Sequence, residues 1–382
     1  MRRSVSARLA QDHENRLAAD AQRRREVLEP VDAVTVRRNG QRLVNFSGND
    51  YLGLAAHPEV ARAMASAAGQ RVGAGASALV TGYAAEHREL ETSLADWLGF
   101  EAAILVGSGY QANLALGQAL LDRGDRILAD RLNHASLNDG VRLAGARILR
   151  YRHADACDAG DRIDERTRWI ATDGVFSMDG DPAPLPALVA LADRHVIGLW
   201  LDDAHGIGVL GENGRGSLEH LGVDACKIDA LVVTFGKSLG TQGAAILGDR
   251  ALIDGLTNRA RGIIYSTAMA PPLAAATSRA LALLRDEPWR RARLAENISR
   301  FRQRAGSLPL SNSATPIQPI VIGDNARAVE ISRRIAEAGF LVRAIRPPTV
   351  PKGTARLRIT LSAEHGPEHI DRLVGVLLEC ME

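Results

Sequence analysis

The chain has 382 residues, of which 46% are hydrophobic and 24% are charged, and its formal net charge is +2. A chain of this length usually forms more than one hydrophobic core, so we expect one large domain and one smaller domain. The balanced charge provides no basic surface for nucleic acid, so binding to a polyanion is not expected.

The first 30 residues carry seven arginines and five acidic residues but no long apolar run. A signal peptide or a membrane span requires such a run, so we expect neither of them and no membrane partner. We predict an exposed amphipathic helix here, within an N-terminal helical segment over residues 1–45.

The three cysteines, Cys157, Cys226 and Cys380, are odd in number and lack the spacing of a metal site. We therefore expect no bound metal. A reducing cytoplasm fits this cysteine usage best.

Helix-like and strand-like segments alternate through the middle of the chain. Apolar residues at helical spacing precede a short apolar run at 102–106, a glycine-containing turn and a second helical pattern at 111–121. Further strand-like runs, with helix-length stretches such as 185–195 between them, lie at 126–129, 169–172, 197–201 and 230–235. This alternation predicts a mostly parallel sheet covered by helices on both faces.

After about residue 250 the pattern changes to longer helical stretches. Helical patterns at 288–305 and 326–338 flank a strand-like run at 318–323, and a basic strand-like run follows at 355–361. We therefore predict a large domain over residues 46–250, followed by a linking helix and a small domain over residues 251–382.

The turn after the strand-like run at 230–235 contains Gly236, Lys237 and Ser238, and three chemistries could use it. A phosphate-binding P-loop needs a glycine five positions before Gly236, where the chain has Leu231, so the P-loop interpretation fails. A nucleophile elbow would make Ser238 the nucleophile of a serine hydrolase, but the small residues at 241–248 predict a turn and a strand where an elbow requires a helix.

The third interpretation makes Lys237 a lysine that holds a cofactor as a Schiff base. Asp202 follows a neighbouring strand-like run, where a carboxylate could keep the pyridine nitrogen of pyridoxal phosphate protonated. Taken alone, the Asp-Asp-Ala-His segment at 202–205 would equally fit a metal pair or a helix start. The combination of Asp202 with Lys237 favours the cofactor.

Two further segments fit a phosphate and a flat ring, although each signal is weak alone. Gly109 and Tyr110 open a helix, and the amino ends of helices favour anions. His134 follows the run at 126–129 and could stack on a ring, whereas a lone histidine is more often structural.

Together these residues resemble the α-oxoamine synthases, a branch of the aspartate-aminotransferase-like pyridoxal-phosphate enzymes. The likeness runs nearly end to end, and in chain order it is carried by Asn49 to Gly53, Glu86 and His87, Asp130 to Ser136, Asp173 to Gly180, Asp202 to Gly206, and Thr234 to Lys237. The resemblance implies an α/β fold of fold type I, in which a large domain with a mostly parallel seven-stranded sheet precedes a smaller α+β C-terminal domain.

The resemblance also implies the catalytic residues. It makes Lys237 the Schiff-base lysine that later moves the α-proton, Asp202 the partner of the pyridine nitrogen, and His134 the side chain stacked on the ring, with His205 at the ring oxygen. The other contacts that it implies with pyridoxal 5'-phosphate come from Gly109, Tyr110, Ser177 and Thr234, and from Thr267 of the neighbouring subunit in a homodimer.

Within the family, the chain most resembles the branch that joins L-alanine to a pimeloyl thioester in biotin synthesis, with loss of carbon dioxide. This resemblance implies that Arg23 and Thr349 contact the acyl substrate or product beside His134, and that Arg358 binds the amino-acid carboxylate. Arg356 faces the same side of the predicted strand, so the choice between the two arginines stays open.

Several alternatives remain at this stage. The thioester could be carried by coenzyme A or by an acyl-carrier protein, and the enzyme could be another α-oxoamine synthase, such as a glycine C-acetyltransferase. Some members of such families persist as non-catalytic subunits without the lysine, and the presence of Lys237 argues against that interpretation.

Overall fold

The computed structural model describes residues 5–381, and contacts between Cα atoms divide the chain into two compact units. The large unit contains residues 49–177 and 181–292, and the small unit contains residues up to 48, residues 178–180 and residues from 293 onward. No helix among the described residues is long and apolar enough to cross a membrane.

The strands, in chain order, are β1 (Glu29–Pro30), β2 (Thr35–Arg38), β3 (Gln41–Asn45), β4 (Ala102–Val106), β5 (Arg126–Asp130), β6 (Arg147–Tyr151), β7 (Thr167–Asp173), β8 (Gly198–Asp202), β9 (Ala230–Thr234), β10 (Ala244–Gly248), β11 (Ile317–Gly323), β12 (Phe340–Leu341), β13 (Arg343–Ile345) and β14 (Ala355–Thr360).

The helices are α1 (Val5–Ala18), α2 (Pro58–Ala68), α3 (Ala85–Leu98), α4 (Gly109–Leu120), α5 (Ala135–Ala144), α6 (Ala156–Gly160), α7 (Leu185–His195), α8 (Ser217–Leu221), α9 (Arg250–Arg259), α10 (Arg261–Ile264), α11 (Pro271–Asp286), α12 (Trp289–Arg304), α13 (Asn325–Glu337) and α14 (Pro367–Met381). One turn of π-helix lies at Ala78–Gly82.

The large unit is built on a seven-stranded sheet with the order β4-β10-β9-β8-β7-β5-β6. Strand β10 runs opposite to the other six strands of this sheet, which share one direction, and this confirms the predicted mostly parallel sheet. Every residue of β9 and β10 is buried, as expected for strands covered by helices on both faces.

The carboxyl ends of the parallel strands meet at one edge of this sheet. There β4 ends at Val106, β5 at Asp130, β7 at Asp173, β8 at Asp202 and β9 at Thr234. Ligands bind at this edge in open α/β sheets, and the candidate cofactor residues of the large unit follow these strand ends.

The small unit contains two sheets, with the orders β1-β2-β3-β12 and β11-β14-β13. Helix α13 packs against strands of both sheets and against α14. The core of this unit therefore combines the N-terminal strands with the C-terminal elements. The boundary predicted after residue 250 falls inside the large unit, because α11 packs on α2 and α3.

The predicted N-terminal helix is wrong beyond Ala18. The chain turns at Asp20, which has a positive φ of 48°, and the Ala21 N–H bonds the carbonyl of Arg16 at 2.8 Å. This left-handed cap ends α1, and the strands β1 to β3 follow where helix was expected. Residues 1–4 of the predicted helix lie outside the described residues.

Helices α4 and α5 approach each other closely because each has a glycine at the crossing. A Cβ atom added to Gly117 would lie 2.3 Å from the backbone of Gly140, and one added to Gly140 would lie 2.3 Å from the carbonyl oxygen of Asn113. Real Cβ atoms do not come this close to backbone, so any side chain at either position would force the helices apart.

We expect Gly140→Ala to lower the free energy of unfolding by about 1–3 kcal/mol, because the added methyl overpacks the crossing. Gly255→Ala is the matched control, since Gly255 lies within α9 and has open space around it. That variant should be neutral or stabilising, by up to about 1 kcal/mol. Urea denaturation measures both, and equal effects of the two substitutions would contradict the close crossing.

Candidate active site

Lys237 lies in the turn after β9 and is half-buried. Its carbonyl accepts the Gly240 N–H at 2.9 Å, and the chain then enters β10 rather than a helix. Ser238 is fully buried and its hydroxyl donates to the carbonyl of Ile207 at 2.6 Å. The geometry of a nucleophile elbow is therefore not formed, and the serine-hydrolase alternative is wrong.

The sequence contains three lysines, and only Lys237 lies beside the strand ends. Lys227 is exposed and pairs with Asp193 at 2.8 Å, and Lys352 is exposed. Lys237 is therefore the lysine whose surroundings suit a buried cofactor.

Asp202 ends β8 and is only 5% exposed. Its Oδ2 accepts the side-chain amide of Asn113 at 2.6 Å, and its Oδ1 accepts the backbone N–H of Ala204 at 3.1 Å. These two neutral donors hold the carboxylate in place. A protonated ring nitrogen would supply a cation to pair with it.

Two more buried carboxylates flank Asp202. Burial and the charge of Asp202 raise the pKa of Asp173 well above its usual range, while the charge of Lys237 opposes this rise. Burial also raises the pKa of Asp203 to about 7, although Ser217 donates to Asp203 through its hydroxyl at 2.5 Å and its backbone N–H at 2.9 Å. Lys237 therefore lies within electrostatic reach of Asp173 and Asp203.

His134 precedes α5 and belongs to the same electrostatic group. Its backbone N–H donates to Asp173 at 2.7 Å, and its ring lies edge-on to Tyr110 with the ring centres 6.3 Å apart. Burial lowers the pKa of His134, as does the charge of Lys237, whereas the charge of Asp202 raises it. The imidazole is thus held neutral next to the carboxylate site.

His205 is buried and its Nδ1 contacts the hydroxyl of Tyr51 at 2.7 Å. Tyr51 belongs to a segment that carried the family resemblance, but no local pattern in the sequence connects it to His205. The contact spans 154 residues of the chain, so only the tertiary fold reveals it.

The amino end of α4 lies beside β9 and is suited to an anion. Ser108 caps the helix by accepting the Gln111 N–H at 3.2 Å, and the position of a Cβ atom on Gly109 lies 3.6 Å from the Cβ of Thr234. Free amides and the helix dipole at such an end favour a phosphate. Tyr110 follows, and its hydroxyl donates to Asp139.

Ser177 lies in a loop after β7 that is closed by a bridge between Val175 and Pro182. Beside this loop His153 contacts Asp130 at 3.1 Å and Asp181 at 2.8 Å. The pKa of His153 is raised to about 10 because both carboxylates outweigh its burial. A charged imidazole therefore ties the loop to the end of β5.

Thr267 lines a cavity of about 290 Å³ in the large unit, together with Leu79 and Tyr83. The lining includes Gly107 and Gln111 at the amino end of α4 but not Lys237.

The expected substrate residues lie in the small unit. Arg23 donates to the hydroxyl of Thr349 at 2.8 Å, and both residues line a cavity of about 580 Å³. Arg356 donates to Asp179 at 2.6 Å and to the carbonyl of Met178 at 3.1 Å. Arg358 lies two residues further along β14, also buried.

The residues of the large unit fit pyridoxal phosphate. A lysine, a buried carboxylate, a neutral histidine and the amino end of a helix all follow parallel strand ends, and each matches one part of this cofactor. Among residues 5–381, no group of three or more histidine, cysteine or acidic side chains is placed to hold a metal ion.

Three side chains of this site were not predicted as functional residues. Asn113 and Ser136 join Asp202 to His134, and Tyr51 contacts His205. Asn113 lies within a helix, where its periodicity indicates only a buried face, so the sequence carries no signal for its role.

Comparison with known proteins identifies the family. The profile of the family described as aminotransferase class I and II matches residues 41–377. An 8-amino-7-oxononanoate synthase from Methylococcus capsulatus is 52% identical over 95% of this chain and 96% of its own length. The corresponding enzyme from Alkalilimnicola ehrlichii is 50% identical over 98% of this chain and 97% of its own length.

Solved structures agree with these relatives. A serine palmitoyltransferase from S. paucimobilis, solved with bound PLP, has a TM-score of 0.93 and 27% identity, and the match covers 99% of this chain and 98% of that one. An 8-amino-7-oxononanoate synthase from Francisella tularensis has a TM-score of 0.78 and 29% identity over 88% of this chain and 97% of that one. The chain therefore belongs to the aminotransferase class I and II family, and within it to the pyridoxal-phosphate-dependent α-oxoamine synthases.

Proposed function

We propose that this enzyme condenses L-alanine with a pimeloyl thioester, with loss of carbon dioxide, to form 8-amino-7-oxononanoate for biotin synthesis. The observation that carries the proposal is the buried Asp202 carboxylate at the end of β8, which acts electrostatically on Asp173 and His134 together with Lys237, the lysine that follows the neighbouring strand β9. The two relatives described above, both named 8-amino-7-oxononanoate synthase and both matched over nearly their whole length, support the choice of substrates.

Each residue of the large unit has a distinct task in this proposal. When bound, pyridoxal phosphate withdraws electrons from the α-carbon of the amino acid through its protonated ring nitrogen. Asp202 would hold that proton on the nitrogen, because its carboxylate is buried and its hydrogen-bond donors, Asn113 and Ala204, are neutral. Lys237 removes the α-proton and later returns it. Neutral His134 covers the ring face and excludes water.

The overall reaction balances without an oxidant or a reductant. The α-carbon of alanine loses its proton to Lys237 and bonds to the carbonyl carbon of the thioester, and the thiolate leaves and takes a proton from solvent. The carboxylate of alanine then leaves as carbon dioxide, and the proton held by Lys237 takes its place on carbon.

Arg358 is the proposed ligand of the alanine carboxylate. The guanidinium of Arg356 already pairs with Asp179, which lies in the same unit, and its Nε donates to the carbonyl of Thr354 at 3.2 Å. Arg356 is therefore held in a structural ion pair, and the choice of Arg358 follows the family resemblance.

The distal carboxylate of the pimeloyl group is proposed to bind in the cavity of about 580 Å³. Arg23 and Arg346 both line it, and burial together with the charge of Arg23 lowers the pKa of Arg346. Arg346 donates to the backbone carbonyls of Asp20 and Gln22 rather than to a carboxylate. Two neighbouring cations of this kind favour an incoming anion.

We also propose that the enzyme is a homodimer. Around the cavity that contains Thr267, the large side chains of Leu79, Val80 and Tyr265 are 51%, 74% and 70% exposed. An exposed apolar face of this kind suits a second copy of the chain, which would place Thr267 beside the partner's cofactor. A cytoplasmic location is proposed because all three cysteines are free thiols.

We expect the purified enzyme to be yellow, and borohydride reduction to attach the cofactor to Lys237. Lys237→Ala should abolish both the visible absorbance of a lysine-bound cofactor and the attachment, as read by peptide mass mapping. Lys227→Ala is the matched control and should keep both. Attachment of the cofactor to any other residue of Lys237→Ala would contradict the assignment.

The substrate proposal is tested by comparing kcat/KM for pimeloyl, acetyl, succinyl and palmitoyl thioesters with alanine, glycine and serine. Pimeloyl thioester with alanine should be the best pair. Arg23→Ala should lower kcat/KM for the pimeloyl donor roughly 10-fold to 100-fold, because a charged hydrogen bond is lost.

Arg25→Ala is the control for Arg23→Ala, because Arg25 is a neighbouring exposed arginine that does not line the cavity. It should leave kcat/KM nearly unchanged. If glycine with acetyl thioester, or serine with palmitoyl thioester, were preferred, the proposed substrates would be wrong and the family assignment would stand.

A further inference from the structure

A continuous chain of buried hydrogen bonds connects Asp202 with His134. Asn113 is fully buried on α4, and its Nδ2 donates both to Oδ2 of Asp202 at 2.6 Å and to the hydroxyl of Ser136 at 2.8 Å. Its Oδ1 accepts the indole N–H of Trp200 at 3.2 Å. An indole can only donate and a carboxylate can only accept, so these partners fix the orientation of the amide.

The direction of the hydrogen bonds continues to the histidine. Because the Ser136 oxygen accepts from Asn113, its own proton is available for Nδ1 of His134, 2.7 Å away. The backbone N–H of Ser136 also faces Nδ1, at 3.4 Å. Both donors require Nδ1 to be an acceptor, and the ring proton must then lie on Nε2.

We propose that Asn113 is a positioning residue that holds the Asp202 carboxylate and, through Ser136, fixes His134 as the tautomer protonated at Nε2. The inference rests on the proposed function only in that Asp202 and His134 act in that reaction. The hydrogen-bond chain itself involves no substrate.

The His134 tautomer protonated at Nδ1 would leave one buried hydrogen-bond donor without an acceptor. If Nδ1 carried the proton, Ser136 would accept from both His134 and Asn113, and its own buried hydroxyl proton would lose the acceptor it has here. A buried donor without an acceptor costs free energy. Ser136 is fully buried, so water does not compensate.

The packing of α4 against α5 brings the members of this hydrogen-bond chain within reach of one another. Asn113 lies one helical turn before Gly117 on α4, and the contact of Gly117 with Gly140 brings α4 against α5. The amide of Asn113 can therefore reach Ser136 at the start of α5 and Asp202 at the end of β8.

The chemical consequence concerns the group that His134 offers to the site. A neutral imidazole with its proton on Nε2 is a hydrogen-bond donor there and not a base. Burial lowers the pKa of His134, which also favours the neutral ring. The proton at the α-carbon is consequently left to Lys237.

The test is ¹⁵N NMR of the histidine-labelled holoenzyme, without substrate, with the His134 signals assigned by their loss in His134→Asn. In the wild type, Nδ1 should show the shift of an unprotonated acceptor, and Nε2 that of a protonated nitrogen. Asn113→Ala and Ser136→Ala should each produce a mixture of tautomers, and the double variant should be no worse than the stronger single variant.

Asn138→Ala is the matched control. Asn138 is also buried, and it lies on α5, but its amide faces the backbone carbonyls of Asn133 and His134 at 3.4 Å and contacts neither Asp202 nor the His134 ring. It should leave both His134 signals unchanged. Ser136→Thr, which keeps the hydroxyl, should restore the wild-type tautomer, and Ser136→Ala suffices for the test if Asn113→Ala fails to fold.

Activity provides the second readout. Asn113→Ala should lower kcat roughly 10-fold to 100-fold with little change in KM for the thioester, because a hydrogen bond to a buried charged group is lost. A protonated Nδ1 in the wild type, or equal spectra for Asn113→Ala and Asn138→Ala, would overturn the proposal. A different preferred thioester would overturn the proposed function and leave this inference standing.

Discussion

The main constraint on the site is the free energy needed to bury negatively charged carboxylates at the carboxyl ends of β7 and β8. Asp173, Asp202 and Asp203 are all at most 5% exposed, and the pKa values of Asp173 and Asp203 are raised by burial and by the charge of Asp202. Carboxylates so close together cannot all ionise without a cation. The charge of Lys237 opposes the rise for Asp173 and Asp203, and the Asp202 carboxylate accepts hydrogen bonds from Asn113 and Ala204.

The fold brings the buried carboxylates and the side chains around them together. Parallel strands bring their ends to one edge, so residues from distant parts of the chain become neighbours. The close crossing of α4 and α5 brings the buried amide of Asn113 to the Asp202 carboxylate. His153 holds the loop that contains Ser177 through its contacts with Asp130 and Asp181. Much of the large unit therefore serves to position a few side chains, as the precision of a catalytic site demands.

The sheet could be predicted from the sequence because its signals are local, and the candidate site residues were proposed from their positions after the same runs. Short apolar runs mark β4, β7, β8, β9 and β10, and the residues that follow them stand out by type. The edge strand β6 gave no such signal, since its five residues include exposed Arg147 and Arg150. The N-terminal helix was predicted too long because the left-handed turn at Asp20 depends on backbone geometry that composition does not reveal.

The supporting residues could not be predicted, because their roles exist only in the folded chain. Asn113 and Asp202 are 89 positions apart, and Tyr51 and His205 are 154 positions apart. The ion pair of Arg356 with Asp179 likewise joins residues that sequence spacing does not bring together.

The central claim is that the Asp202 carboxylate makes the α-proton of the amino acid removable. It is tested most directly by following exchange of the α-proton of L-alanine for deuterium in D₂O without an acyl donor, for the wild type and Asp202→Asn, both loaded with cofactor. The amide cannot hold the ring proton as a carboxylate does, so exchange should fall roughly 100-fold or more while the cofactor stays bound. Exchange at the wild-type rate in Asp202→Asn would contradict the account.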